Sequence, residues 1–159
     1  MDTDKIKNYT MRISQANRSE LVVILFELAV DGIQSAKSAL AQGKTEVFDT
    51  ELKRAQGAVA ELRGSLNFQY GVSANLAALY RYINEQLAKS LARQADVNLD
   101  SCLDILEKLE ESFRQVAKQD TSDPVMENAQ QVYAGLTYGK SSLTETTLEA
   151  DSAHRGFCV

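Results

Sequence analysis

The chain has 159 residues, enough for one domain of ordinary size. Hydrophobic residues make up 44% and charged residues 25%, the composition of a globular protein rather than of a disordered one. The sequence has 1 Pro, 1 His and no Trp, which argues against a turn-rich all-β fold and against most histidine-based chemistry. The 2 Cys form no disulfide framework, and the formal net charge of -5 disfavours a nucleic-acid partner.

The polarity of the N-terminus and the length of the most apolar run indicate the compartment. The first residues are polar and lack the apolar core of a signal peptide. The most apolar run, residues 21–30, contains Glu27 and is shorter than the roughly 20 residues that span a bilayer. We therefore expect a cytoplasmic protein with no membrane insertion.

The first long helix is predicted to begin at Asn17. Asn17 and Glu20 have the spacing of a capping box, and Gly43 suits the C-terminal end of the helix. Apolar side chains cover nearly every face of its first half, which is typical of a helix that is buried on several sides or that carries a binding surface. Residues 1–16, mixed and polar, are predicted to form an N-terminal arm with room for a short helix.

Three further segments carry apolar residues at alternating steps of three and four, the spacing of a bundle seam. They predict helices over about 44–68, 72–94 and 98–119. The fold class is therefore all-α, with an antiparallel up-down four-helix bundle over 17–120.

The composition changes beyond the bundle. Pro124 predicts a short extra helix within 121–135, because proline is favoured in the first turn of a helix. Residues 136–159 are rich in Gly, Ser, Thr and Glu without a sustained period, which predicts a flexible C-terminal tail.

Negative charge is concentrated in residues 96–127, which hold 9 acidic and 3 basic side chains. A charge run of this kind is usually a solvated helix face, and it also suits the rim of a site for a basic partner. Asp96, Asn98, Asp100 and Glu107 follow the spacing of a calcium loop. Ser101 stands where that loop needs glycine, so we interpret the stretch as the capped start of a helix.

The other chemical motifs are weak. Residues 134–141 loosely match a phosphate-binding loop, but no strand pattern precedes them. His154 is a lone histidine in the predicted tail, and the chain has no inward Glu-x-x-His pair for a di-iron site. We therefore expect no catalytic residue, no metal and no cofactor, and predict that the protein is not an enzyme.

Apolar side chains remain as the most informative feature. The first long helix has more of them than one seam needs, and several tyrosines cluster in and around the helix predicted over 72–94. Such residues are core packing in most cases. Surplus apolar surface on a small bundle also suits a groove for the amphipathic segment of a partner.

Two segments carry a family resemblance, ANRSELVVILFELAVDGIQSAKSAL and AVAELRGSLNFQYGVSANLAALYRYINEQL. Together they resemble the flagellin-specific export chaperones of the FliS family, and the resemblance covers about residues 5–120. The sequence departs from the family pattern at Asn17-Arg18, where Ser-Pro is usual, in the shortened Gly71–Ala74, and at Phe113, the nearest large aromatic to a usual Trp. The positions that match are Ala16, Leu21, Leu25, Phe26, Leu62, Leu66, Asn75, Leu76, Leu79, Tyr80 and Tyr82.

The resemblance implies a cytoplasmic, non-enzymatic chaperone with a four-helix bundle. Such a protein binds the disordered C-terminal segment of flagellin, prevents premature polymerisation and delivers its client to the flagellar export apparatus. Covering the apolar stripes of flagellin would remove the surfaces that polymerise, and ordering of the client would offset part of the binding free energy.

A partner-binding groove between the first and third long helices is our hypothesis, with the arm resting in the groove until the client displaces it. The alternative for several of its residues is the core. The alternative for the whole protein is a self-associating helical adaptor without flagellin binding, and a homodimer without client is left open. The hypothetical groove consists of Tyr9, Met11 and Ile13 on the arm, Leu21, Val22, Leu25, Phe26 and Ala29 on the first long helix, and Leu76, Leu79, Tyr80 and Ile83 on the third.

Overall fold

Five helices make up most of the described chain. The computed structural model describes residues 1–127 and contains α1 (Thr3–Gln15), α2 (Arg18–Ala41), α3 (Thr45–Gly64), α4 (Val72–Arg93) and α5 (Leu99–Gln119). This part of the chain is all-helical, with no strand. Residues 121–127 are not helical, and the rest of the helix predicted within 121–135 lies outside the described residues, as does the predicted tail over 136–159.

The predicted arm contains a helix of 13 residues, α1. The four long helices begin within a residue of their predicted starts, but α3 ends at Gly64 rather than near 68. The reason lies in the connection to α4. The backbone carbonyl of Asn67 accepts a 2.6 Å hydrogen bond from Ser73 Oγ in the first turn of α4. Residues up to 68 therefore belong to the turn between the two helices and do not extend α3.

The predicted capping box at the start of α2 is confirmed. Asn17 Oδ1 accepts a hydrogen bond from the Glu20 backbone N–H at 2.9 Å, and the Asn17 N–H donates to Glu20 Oε2 at 2.9 Å. The remaining amide of Asn17 donates to the backbone carbonyl of Asp120 at 3.2 Å. One buried side chain therefore caps α2 and ties it to the end of α5.

Replacement of Asn17 by Ala is expected to lower the free energy of unfolding by about 1–2 kcal/mol, because the cap and the tie to Asp120 are both lost. Asn17→Ser serves as the control, since serine can cap but cannot reach a second partner with an amide. Urea unfolding followed by circular dichroism measures both variants. An equal loss in free energy of unfolding for Asn17→Ala and Asn17→Ser would show that the hydrogen bond to Asp120 contributes more than the cap.

The core lies among the four long helices. Helix α2 packs against α3 and α5, and α4 packs against the same two helices. Phe26 of α2 is fully buried, with its ring centroid 6.2 Å from that of Tyr80 in α4 and 5.2 Å from that of Phe113 in α5. The inner faces of three helices, α2, α4 and α5, thus meet around one aromatic side chain.

Helices α2 and α3 approach closely at Gly32. A Cβ added there would lie 2.9 Å from the backbone oxygen of Glu51 and 3.0 Å from the Cβ of Ala55. The absence of a side chain at residue 32 therefore permits the spacing of these two helices.

Candidate functional site

The structure separates the residues of the predicted groove into a buried and an accessible group. Phe26 and Ala29 of α2 and Leu76, Tyr80 and Ile83 of α4 belong to the core, each at most 8% exposed. For these five residues the structure favours the core, the alternative that the sequence left open, over an open groove. The helical period places them on the faces of α2 and α4 that turn toward α3 and α5, where burial excludes water.

The accessible group lies on the arm and on the outer sides of the helices. Met11 is exposed, and the others are half-buried: Tyr9, Ile13, Leu21, Val22, Leu25 and Leu79. Val22 and Leu25 also pack against the edge of the core. A partner can reach these side chains without separation of α2 from α4.

Helix α1 lies antiparallel along α2. Lys5 bonds to Asp31 and Arg12 bonds to Glu27, so increasing residue number in α1 matches decreasing number in α2. Near the start of α1, the nitrogen of Met1 lies 2.8 Å from Glu51 Oε1 in α3. The helix predicted as an arm therefore covers an outer surface of the bundle, and α2 contributes most of that surface.

Glu27 joins three helices through charge. Its carboxylate accepts two hydrogen bonds from the Arg12 guanidinium, at 2.5 and 3.0 Å, and one from Arg114 of α5 at 3.1 Å. Arg114 also pairs with Glu110 one turn earlier in α5. The hydrogen bond to Glu27 raises the pKa of Arg12, and that to Glu110 raises the pKa of Arg114, so both guanidinium groups stay charged.

Asp31 receives its partners from α1 alone within the described residues. Tyr9 donates its hydroxyl to Asp31 Oδ2 at 2.9 Å, and Lys5 Nζ lies 3.2 Å from the same oxygen. Partial burial and the bond to Asp31 raise the pKa of the Tyr9 hydroxyl, which therefore remains a donor. The Arg12 guanidinium lies 5.7 Å from the centre of the Tyr9 ring, within cation–π range.

The apolar packing beneath α1 is sparse. None of its 13 residues is buried. A surface pocket of about 270 Å³ is lined by Arg12, Val23 and Ala117, and a second of about 250 Å³ is lined by Arg12, Ala16 and Ile24. Ion pairs and a tyrosine hydroxyl, rather than buried side chains, hold this helix in place. Breaking contacts of this kind costs little free energy, so another helix can replace α1.

Two other surface features lie away from α1. A cleft of about 450 Å³ between α3 and α4 is lined by Arg63, Arg81 and Asn84, and the buried Oδ1 atom of Asn84 has no hydrogen-bond partner there. In the connection between α3 and α4, Phe68 and Tyr70 are 68% and 66% exposed. Exposed aromatic side chains of this size are commonly used for contact with partners.

The acidic stretch before α5 has a structural role. Asp96 Oδ1 accepts a hydrogen bond from the Leu99 backbone N–H at 3.0 Å, and Asp100 pairs with Lys37 of α2. Asp96 therefore satisfies the first N–H of α5, whereas Asn98, the N-cap residue, makes no side-chain cap bond and donates to Gln86 instead. Across residues 1–127, no group of three His, Cys, Asp or Glu side chains is arranged to hold a metal ion. None of the helices in this part of the chain is long and apolar enough to cross a membrane.

Comparison with known families decides the assignment. Residues 3–120 match the family described as flagellar protein FliS, a range that runs from the first residue of α1 to the residue after α5. The chain belongs to the FliS family. Its class is thus that of the flagellar export chaperones, as the resemblance of the two segments predicted. A search of curated proteins found no match.

Within this FliS-family chain, sequence reasoning missed the polar contacts of α1. The missed residues are Lys5, Arg12, Glu27, Asp31 and Arg114. One signal was present, because Lys5, Tyr9 and Arg12 recur at the spacing of a single helix face. Their partners on α2 could not be found in the same way, since they lie 15 to 26 residues away in the chain.

Proposed function

We propose that this protein is a cytoplasmic, non-enzymatic chaperone for flagellin. It binds the disordered C-terminal segment of flagellin, prevents premature polymerisation and delivers the segment to the flagellar export apparatus. Membership of the FliS family supports the client and the destination. The proposal needs no cofactor and no metal.

The observation that carries the proposal is the attachment of α1. A helix without a buried residue covers α2 through hydrogen bonds and ion pairs to Glu27 and Asp31. An amphipathic client helix that buries more apolar area can replace it, because burial contributes about 25 cal/mol for each Å² removed from water. We infer that α1 occupies the binding surface until client arrives.

The binding surface that we propose is the outer side of α2 together with Leu79 of α4, and the arm covers it until the client displaces the arm. The accessible predicted residues of α2 and α4 are Leu21, Val22, Leu25 and Leu79, and those that the arm contributes are Tyr9, Met11 and Ile13. Behind this surface, we propose that α2 to α5 form an antiparallel up-down four-helix bundle. The contacts of α2 and α4 with both α3 and α5, and the short connections between helices, support that arrangement.

Calorimetric titration with the C-terminal segment of the host's flagellin tests the function. We expect a complex of about one to one with a clearly negative heat-capacity change, because client folding buries apolar surface. A segment from the variable middle of the same flagellin is the control. Absence of binding by a protein shown to be helical by circular dichroism would contradict the proposal.

The alternative function is that of a self-associating adaptor that does not bind flagellin. The exposed side chains of Phe68 and Tyr70 favour it, since a contact between two copies would cover them. Light scattering separates the two functions. A stable dimer whose mass does not change when flagellin is added would support the adaptor, whereas a dimer that flagellin dissociates would support a homodimeric resting state of the chaperone.

A further inference from the structure

The surface beneath α1 carries two carboxylates whose neighbours differ. Glu27 and Asp31 lie one turn apart on α2, and their side chains are 15% and 23% exposed. Glu27 keeps Arg114 of α5 as a partner when α1 is absent. Asp31 keeps none among the described residues, because both of its donors, Tyr9 and Lys5, belong to α1.

Removal of α1 leaves the Asp31 carboxylate with water as its donor, and an occupant that covers the same surface displaces that water. A carboxylate covered in this way is unfavourable unless the occupant supplies a donor. The Asp31 carboxylate also repels an acidic occupant. The two carboxylates therefore affect which partner binds as well as how tightly it binds.

Helix α1 shows what chemistry satisfies this surface. It places an ammonium group at Lys5 and a guanidinium at Arg12, seven positions apart on one face, with the hydroxyl of Tyr9 between them. Along the helix axis Lys5 and Arg12 are separated by about 10.5 Å and Glu27 and Asp31 by about 6 Å. The long Lys and Arg side chains span the difference. The surface pockets near Arg12 leave room for an occupant with bulkier apolar side chains.

We propose that Asp31 and Glu27 select the client segment by charge. The occupant that replaces α1 is an amphipathic helix with lysine or arginine at two positions about seven residues apart on its inner face. One base pairs with Asp31 and the other with Glu27. This inference rests on the proposed function, and it adds a chemical requirement that apolar burial alone does not impose.

Substitutions on opposite sides of the same contact test the inference. Lys5→Gln weakens only α1, so the full-length variant is expected to bind the flagellin C-terminal segment about 1.5- to 5-fold more tightly than wild type. Asp31→Asn keeps an acceptor oxygen but removes the negative charge that attracts a basic occupant, and the variant is expected to bind about 3- to 30-fold more weakly. Asp31→Ser is a second variant, and circular dichroism verifies that each protein is folded.

The direction of the change decides the result. If Asp31→Asn and Asp31→Ser bind flagellin as tightly as Lys5→Gln does, or as tightly as wild type, the carboxylate serves only to hold α1 and the inference is overturned while the proposed function stands. If wild type itself does not bind, the proposed function fails and the inference fails with it. Weaker binding by both Asp31 variants together with tighter binding by Lys5→Gln supports selection by charge.

Discussion

Replacing Tyr80 by Ala is expected to lower the free energy of unfolding by about 3–5 kcal/mol, the usual cost of removing a buried aromatic side chain. Tyr80 is 1% exposed, and the centroid of its ring lies 6.2 Å from that of the Phe26 ring. The truncated side chain would leave a cavity among the long helices that the surrounding residues can fill only in part. Urea unfolding followed by circular dichroism measures the loss.

Tyr70→Ala is the matched control, because it makes the same chemical change at a residue that is 66% exposed. Its effect on the free energy of unfolding is expected to stay within about 0.5 kcal/mol. Suppose instead that Tyr80→Ala folds as stably as wild type and loses only flagellin binding. Tyr80 would then be a groove residue, as the sequence suggested, and the core described above would be wrong at this position.

Gly32→Ala is expected to destabilise the protein by about 1–3 kcal/mol, although alanine is intrinsically the better helix former. The added Cβ would lie 2.9 Å from the Glu51 backbone oxygen, and backbone atoms cannot move aside as a flexible side chain can. Helix α3 would have to shift away from α2, which would loosen contacts along the interface.

Gly57→Ala tests the reason for this effect. Gly57 lies in α3, and a Cβ added there would meet no atom within 4 Å. Helix propensity should then act alone and raise the free energy of unfolding by about 0.5–1 kcal/mol. Thermal and urea unfolding of the two variants should show changes of opposite sign. A stabilising Gly32→Ala would mean that α2 and α3 do not approach as closely as described.

Local sequence signals predicted the helices well. The spacing of Asn17 and Glu20 predicted a capping box that both side chains form, and apolar steps of three and four located α4 and α5 to within about a residue. These signals succeed because capping and helical periodicity involve residues three or four apart. The predicted end of α3 is less accurate, because it depends on a hydrogen bond between Asn67 and Ser73 across a turn.

The candidate surface was predicted only in part. Apolar periodicity identified Phe26 and Tyr80 as important but could not distinguish a groove from a core, because both are apolar stripes on a helix. The structure buries these two and leaves Leu21 and Leu79 accessible. The ion pairs of α1 were missed for a different reason, since charged residues on a polar segment are usually solvated.

The all-helical class, the start of each long helix and the FliS family follow from neighbours along the chain and from short motifs, so they can be read from the sequence. Two outcomes cannot be read in this way: which stripe of α2 faces the core, and the position of α1 on the outer side. Those outcomes depend on which helices meet. Glu27 is 15 residues from Arg12 and 87 from Arg114, and packing alone brings the three charges together.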